Sequence, residues 1–139
     1  RGIFVADRIA AILRDEYGIE NLKLGYLDIT FFRDDFRRRD APLAATSTKI
    51  DFLIENKNVV LIDDVLYSGR SVRAALTALQ SYGRPNNVEL LVLIDRRFSR
   101  HLPIQPTYRG RQVDAINEEK VLVTWKETNN EDGVYIELK

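Results

Sequence analysis

The 139-residue sequence has no cysteine, no methionine and one histidine, with seven glycines and four prolines, and its 21 basic side chains are balanced by 21 acidic ones. The missing cysteine excludes disulfides and thiolate metal sites, and it either fits a reducing cytoplasm or is neutral as to compartment. No apolar run approaches the roughly 20 residues of a membrane-spanning helix and no secretory signal is visible, so no membrane partner is expected. The one histidine, His101, sits in a polar stretch and supplies no convincing general base. The glycines are too scattered for a Gly-x-Gly-x-x-Gly dinucleotide fingerprint, and the Gly-x-x-x-x-Gly-Lys-Ser/Thr loop is absent. Zero formal net charge carries no overall signal for a nucleic-acid partner. At this length one domain with one core is expected. The sequence opens on Arg1-Gly2 and runs directly into the helical pattern Ile3, Phe4, Val5, Ala6, Ile9, Ile12 and Leu13, from which we expect that an N-terminal strand is missing.

What is present is concentrated in one segment. The apolar run Val59-Val60-Leu61-Ile62 leads to adjacent acids, Asp63-Asp64, then to Val65-Leu66 and the small, hydroxyl-rich turn Tyr67-Ser68-Gly69-Arg70-Ser71. The run has the character of a buried strand, and Ser71 opens the helical pattern Val72, Ala75, Leu76 and Leu79, so the order is strand, turn, helix. Free N–H groups at a helix N-terminus attract anions. Gly69 permits a positive φ and close approach to a ligand, and the amides of residues 67–71 can turn toward phosphate oxygens, with Ser68 and Ser71 adding hydroxyl donors. Carboxylates repel a phosphate, but they accept hydrogen bonds from ribose hydroxyls and share Mg²⁺ through water. Asp63 and Asp64 therefore suit a sugar and the turn suits its phosphate. Two alternatives stay open on the residues alone: a receiver-type phosphoacceptor whose clustered acids bind Mg²⁺, and an acidic strand end followed by an ordinary turn.

Elsewhere, the apolar stripe predicts a first helix over residues 3–17, stopped at Gly18. Alternation of Leu27, Ile29 and Phe31 against Asp28 and Thr30 predicts a strand over 22–32. Periodicity weakens over 33–58, and a loop of that length is a lid, a binding loop or a disordered segment. Residues 71–82 predict a helix ended by Gly83, and residues 88–94 a second buried strand ending in Asp95. Two such strands joined by a helix imply a parallel βαβ unit, with ligands outside the carboxyl ends of the strands, where Asp63, Asp64 and Asp95 fall. Residues 121–127 and 134–138 predict closing strands about a turn at 129–133.

Residues 59–71 resemble the phosphoribosyl-pyrophosphate (PRPP) binding motif of type I phosphoribosyltransferases. Further blocks, Leu27-Asp28-Ile29-Thr30, Arg33-Asp34-Asp35, Gly83-Arg84-Pro85, Asp95-Arg96 and Leu102-Pro103-Ile104, are similar in order to those of one branch, the bifunctional pyrimidine operon attenuators and uracil phosphoribosyltransferases. The resemblance runs from Arg1 nearly to Lys139. It implies an α/β domain of type I phosphoribosyltransferase fold, with a mainly parallel central sheet flanked by helices and a small hood. It implies that Asp63 and Asp64 are catalytic, bind the ribose hydroxyls of PRPP and hold Mg²⁺ through water, while residues 65–71 wrap the 5′-phosphate. Arg1 and Gly2 look like the end of a pyrophosphate loop whose remainder would precede the sequence. Arg33 and Asp34 would lie at the base of a lid, where Arg33 either meets pyrophosphate or pairs with a neighbouring acid. The implied reaction is phosphoribosyl transfer from PRPP to uracil, giving UMP and pyrophosphate, in a dimer or a dimer of dimers.

Charge distribution adds a second expectation. Arg96, Arg97, Arg100, Arg109 and Arg111 lie with His101 and Tyr108 in a stretch without acids, a local basic surface. In the family it resembles, the corresponding surface binds a messenger leader hairpin, promoted by uridine nucleotides, which makes Arg96, Arg97, Arg100 and Arg111 the expected RNA contacts. Gln105 stands where that family has arginine, and there is one extra residue between Asp95 and Leu102. The same arginines could serve pyrophosphate, a subunit interface or solubility. Two further functions stay open: a nucleotide-sensing RNA-binding regulator with little catalysis, and transfer to another nucleobase.

Overall fold

The structure, a computed structural model, describes residues 2–29, 48–116 and 118–138. Its elements are α1 (Gly2–Asp15), β1 (Asn58–Leu66), α2 (Arg70–Leu79) continued by a 3₁₀ turn (Gln80–Tyr82), β2 (Asn87–Arg96), β3 (Tyr108–Val113), β4 (Glu119–Thr124), α3 (Lys126–Asn129) and β5 (Gly133–Leu138). Strands β1, β2 and β3 form a parallel sheet in that order, with Leu61 opposite Leu90, Leu66 opposite Asp95, and Arg96 opposite Val113. Strands β4 and β5 pair antiparallel, Val121 opposite Ile136.

The apolar, β-branched runs of β1 and β2 form strands because both have side chains to bury on the pleated surface. The crossover α2 presents Val72, Ala74, Ala75, Ala78 and Leu79 to the interior. Val72 joins Leu66, Leu90 and Val92 in the core, with Leu61 and Ile104 packed against them. Leu66 is only 2 % exposed, so truncating it to alanine is expected to cost about 2–5 kcal/mol.

Helix α1 buries Val5, Ala6 and Ala10. At its first residue, a side chain on Gly2 would meet the Ile62 carbonyl oxygen at 2.5 Å and the Asp63 Cα at 2.9 Å, so glycine is what lets the helix start lie directly on β1. The same helix holds the β4–β5 hairpin. Phe4 and Trp125 rings lie 5.9 Å apart, the Arg8 guanidinium sits 4.8 Å from the Trp125 ring, and Arg8 donates to Asp132 at 2.8 and 2.9 Å and to Glu127 at 2.5 Å.

Several expectations change. Helix α1 ends at Asp15, and Gly18 takes φ +64° just beyond it. Of the strand expected over 22–32, residues 22–29 show one antiparallel bridge, between Tyr26 and Lys49, and residues 30–32 lie outside the described residues. Helix α2 begins at Arg70 and tightens into the 3₁₀ turn after Leu79. Strand β3 was not expected at all. Arg1 and the lid residues Arg33 and Asp34 lie outside the described residues.

Candidate functional site

The acid pair lies within β1, not after it, since the strand continues to Leu66. Successive strand residues point to opposite faces, so the two carboxylates have different surroundings. Asp64 is buried, at 8 % exposure. The Asp64 amide donates to Asp63 Oδ1 and the Val65 amide to Asp64 Oδ1, each at 2.8 Å. Burial, and then the neighbouring Asp64 charge, push the Asp63 carboxyl up to about 7. A cation or a pair of hydroxyl donors placed here would relieve the repulsion. Among the described residues no group of three or more His, Cys, Asp or Glu side chains could hold a metal by itself. The pair therefore fits Mg²⁺ as a hard oxygen site only with water and ligand oxygens completing the shell.

Three residues beyond Asp64 the chain enters the turn. Gly69 has φ +94° and ψ −3° and caps α2, with no side chain capping the helix. Its missing side chain would meet Ile104 Cδ1 at 3.2 Å. The segment that supplies Ile104 grips the turn from behind. The Tyr67 carbonyl accepts from Arg100 Nη1 at 2.7 Å, and the Ser68 carbonyl accepts from the amides of His101 at 2.9 Å and Leu102 at 3.2 Å. Arg100 Nη2 donates to Asp95 at 2.7 Å, with Arg109 3.7 Å from the other oxygen of that carboxylate. The Arg96 guanidinium lies 4.1 Å from the Tyr67 ring centroid and donates to the carbonyls of Ile116 and Glu119 at 3.2 and 3.0 Å.

Of the segment expected to bind PRPP, Val59, Val60, Leu61, Ile62, Val65 and Leu66 are strand residues, and buried Leu66 is core. The groups placed at the end of the strand and in the turn after it narrow the candidates to Asp63, Asp64 and residues 67–71. Gly2 lies beside Ile62 and Asp63.

The expected RNA contacts do not form one basic surface. Arg96 is 4 % exposed and turned inward, which removes it as a contact. Arg100 is committed to Asp95 and the Tyr67 carbonyl. Arg97 is exposed but forms a two-point pair with Asp114 at 2.5 and 2.7 Å, while Arg111 is exposed on β3. His101 is also exposed, with Nδ1 3.4 Å from Arg70 Nε. The roles of Asp95, Arg96 and Arg100 behind the turn escaped the sequence because the partners are about 30 residues apart; the buried strand ending in Asp95 was the one available signal.

The family model for the phosphoribosyl transferase domain matches residues 1–128. Among curated proteins, the chain is 46% identical over 137 residues to the bifunctional protein PyrR of Caldicellulosiruptor bescii, covering 99% of this chain and 74% of that one. It is 43% identical over 136 residues to the bifunctional protein PyrR of Desulfosudis oleivorans, covering 98% and 75%. Among solved structures, the purine phosphoribosyltransferase of Pyrococcus horikoshii superposes with a TM-score of 0.54 at 16% identity, covering 82% of this chain and 68% of that one. The hypoxanthine phosphoribosyltransferase of Staphylococcus aureus gives 0.52 at 20% identity, covering 98% and 86%. At those identities the two structures speak for the fold alone. With an acid pair on β1, a glycine turn opening α2 and these relatives over almost its whole length, the chain belongs to the phosphoribosyl transferase domain family and, within it, to the PyrR proteins.

Proposed function

We propose that the chain transfers the phosphoribosyl group of PRPP to uracil, giving UMP and pyrophosphate. The observation that carries this is the acid pair of β1 placed one short turn before the left-handed Gly69 that opens α2. In the transfer, the bond from the anomeric carbon to pyrophosphate breaks, a bond to N1 of uracil forms, and the N1 proton leaves to solvent. Positive charge builds on the ribose ring, and Asp63 and Asp64 orient its hydroxyls and favour that charge. The turn over 67–71 holds the 5′-phosphate, which takes no part in bond making. Mg²⁺, held by Asp63 and Asp64 through water, would neutralise the leaving pyrophosphate when bound. Arg1, Gly2, Arg33 and Asp34 are assigned to the pyrophosphate half of the site, with 33 and 34 at the base of a lid that excludes water.

Asp64→Asn is expected to lower turnover at least about a hundredfold with folding intact. Unchanged turnover overturns the role of the pair. Offering PRPP with uracil, orotate, hypoxanthine and adenine tests the acceptor, and product formed only with a purine overturns the substrate.

A second function, UMP-promoted binding of a pyrimidine leader mRNA, is supported by the naming of the relatives as bifunctional and by exposed Arg111. Filter binding to such a leader over a salt series, with and without UMP, tests it. A phosphate-contacting surface gives affinity that falls steeply with salt, and no binding at low salt removes it. A single cytoplasmic domain assembling as a homo-oligomer completes the proposal. No described helix is long and apolar enough to cross a membrane, and Val134, Ile136 and Leu138 stand exposed on β5.

A further inference from the structure

A phosphate held by a turn needs backbone N–H groups aimed at it, and in a planar trans peptide the N–H points opposite to the carbonyl of the same unit. Whatever holds a turn's carbonyls therefore decides where its amides point. Here the carbonyls of Tyr67 and Ser68 are both taken by one segment, through Arg100 Nη1 at 2.7 Å and the amides of His101 and Leu102 at 2.9 and 3.2 Å. The amides of Ser68 and Gly69 consequently point away from that segment. Among the described residues neither has an acceptor, although Gly69 is buried and Ser68 half-buried. Inward-lying donors without acceptors are rare in folded proteins and mark where a ligand belongs.

We infer that Arg100 is a positioning residue that latches the Tyr67–Ser68 peptide with its amide toward the 5′-phosphate. The inference rests on the assignment of residues 67–71 to that phosphate. The latch is held in turn. Asp95, whose side chain is 3 % exposed, accepts from the other arm of Arg100 at 2.7 Å, so the planar guanidinium is fixed at two points as only arginine's fork allows. Arg96, stacked on the Tyr67 ring 4.1 Å away, braces the same residue through its side chain. Without Arg100 the Tyr67 carbonyl loses the guanidinium that fixes it, and a rotated Tyr67–Ser68 peptide turns a carbonyl dipole on the phosphate.

The 5′-phosphate is unchanged between bound PRPP, transition state and UMP, so the latch contributes uniform binding. Arg100→Gln and Arg100→Lys test it, the lysine variant keeping a positive charge beside buried Asp95 while a single ammonium cannot span both partners. The readout is titration calorimetry of UMP and of uridine on the full chain, with a melting curve for each variant. Wild type is expected to prefer UMP. Both variants are expected to lose about ten- to hundredfold in UMP affinity, the worth of one hydrogen bond to a charged group, with uridine affinity within about twofold. The KM for PRPP rises by a similar factor, while kcat and the KM for uracil hold. UMP preference retained in both variants overturns the latch alone. Equal losses for UMP and uridine overturn it in favour of a merely structural role, and a wild type that does not distinguish UMP from uridine overturns the phosphate turn and the latch together.

Discussion

Asp63 and Asp64 are neighbours in the sequence and unequal in the fold. Burial and the charge of Asp64 raise the Asp63 carboxyl from the ordinary carboxylate range to about 7. A raised acid binds a proton in the folded state that the unfolded chain has already released, so the stability it contributes is full below about pH 4 and drains away as pH rises toward about 7. Asp63→Asn is therefore expected to raise Tm at pH 8 in the absence of ligand, with the gain shrinking toward pH 4, while phosphoribosyl transfer falls. Thermal melts at several pH values check this, and a lowered Tm at pH 8 contradicts the burial of an ionised pair. Gly69 is the other residue whose chemistry is dictated by its position. At φ +94°, with Ile104 Cδ1 at 3.2 Å from where a side chain would begin, Gly69→Ala is expected to cost about 1–3 kcal/mol in denaturant melts and to weaken UMP more than uridine.

Among elements, the parallel β1–α2–β2 unit was legible because its strands are continuous apolar runs and its helix has a clear stripe. β3 was not. Its sequence, Tyr108 to Val113 with Arg109, Gly110 and Arg111 between, has no apolar run, and it becomes a strand only because β2 offers a free edge. Gly110 lies so close to β2 that a side chain would meet the Leu93 carbonyl oxygen at 2.6 Å. The attachment of the β4–β5 hairpin to α1 was equally hidden, since Arg8 meets Glu127 and Asp132 from more than 100 residues away. The Arg8 guanidinium holds the Asp132 carboxyl down at about 2 and lowers that of Glu127. Depressed acids contribute stability that is present above about pH 4 and lost as pH falls toward about 2. These groups are exposed, so salt weakens the contribution. Arg8→Ala is expected to lower Tm at pH 7 in low salt, with a smaller loss in 1 M salt that reflects the remaining contact with Trp125. An equal loss at both salt concentrations would assign the whole effect to packing.

For the whole molecule, a ligand that binds only the folded state stabilises it by mass action, about 2.7 kcal/mol at a hundred times its dissociation constant. PRPP with Mg²⁺ is expected to raise Tm, and a chelator to remove most of the gain, because without the cation the carboxylates of Asp63 and Asp64 repel the pyrophosphate charge. Exposed Val134, Ile136 and Leu138 alternate along β5 and so share one face of the hairpin. Ile136→Asp is expected to shift a homo-oligomer toward monomer in light scattering, and an unchanged mass moves the interface elsewhere.

The sequence by itself determined the family, the strand, turn and helix around Asp63 to Ser71, and the parallel pairing of the two strands that carry the fold. These follow from local pattern: continuous apolar runs, a helical stripe, and a glycine where the backbone must turn left-handed. Tertiary structure alone decided that β3 exists, that Arg96 is buried and Arg100 is paired with Asp95, and that the carbonyls of Tyr67 and Ser68 are taken from behind. The physical reason is the same in each case. A charged residue far along the chain carries no sign of the partner it will meet, and arginine serves equally well on a surface or beneath a tyrosine ring and beside a buried aspartate until the packing of β2 against β1 fixes which it is.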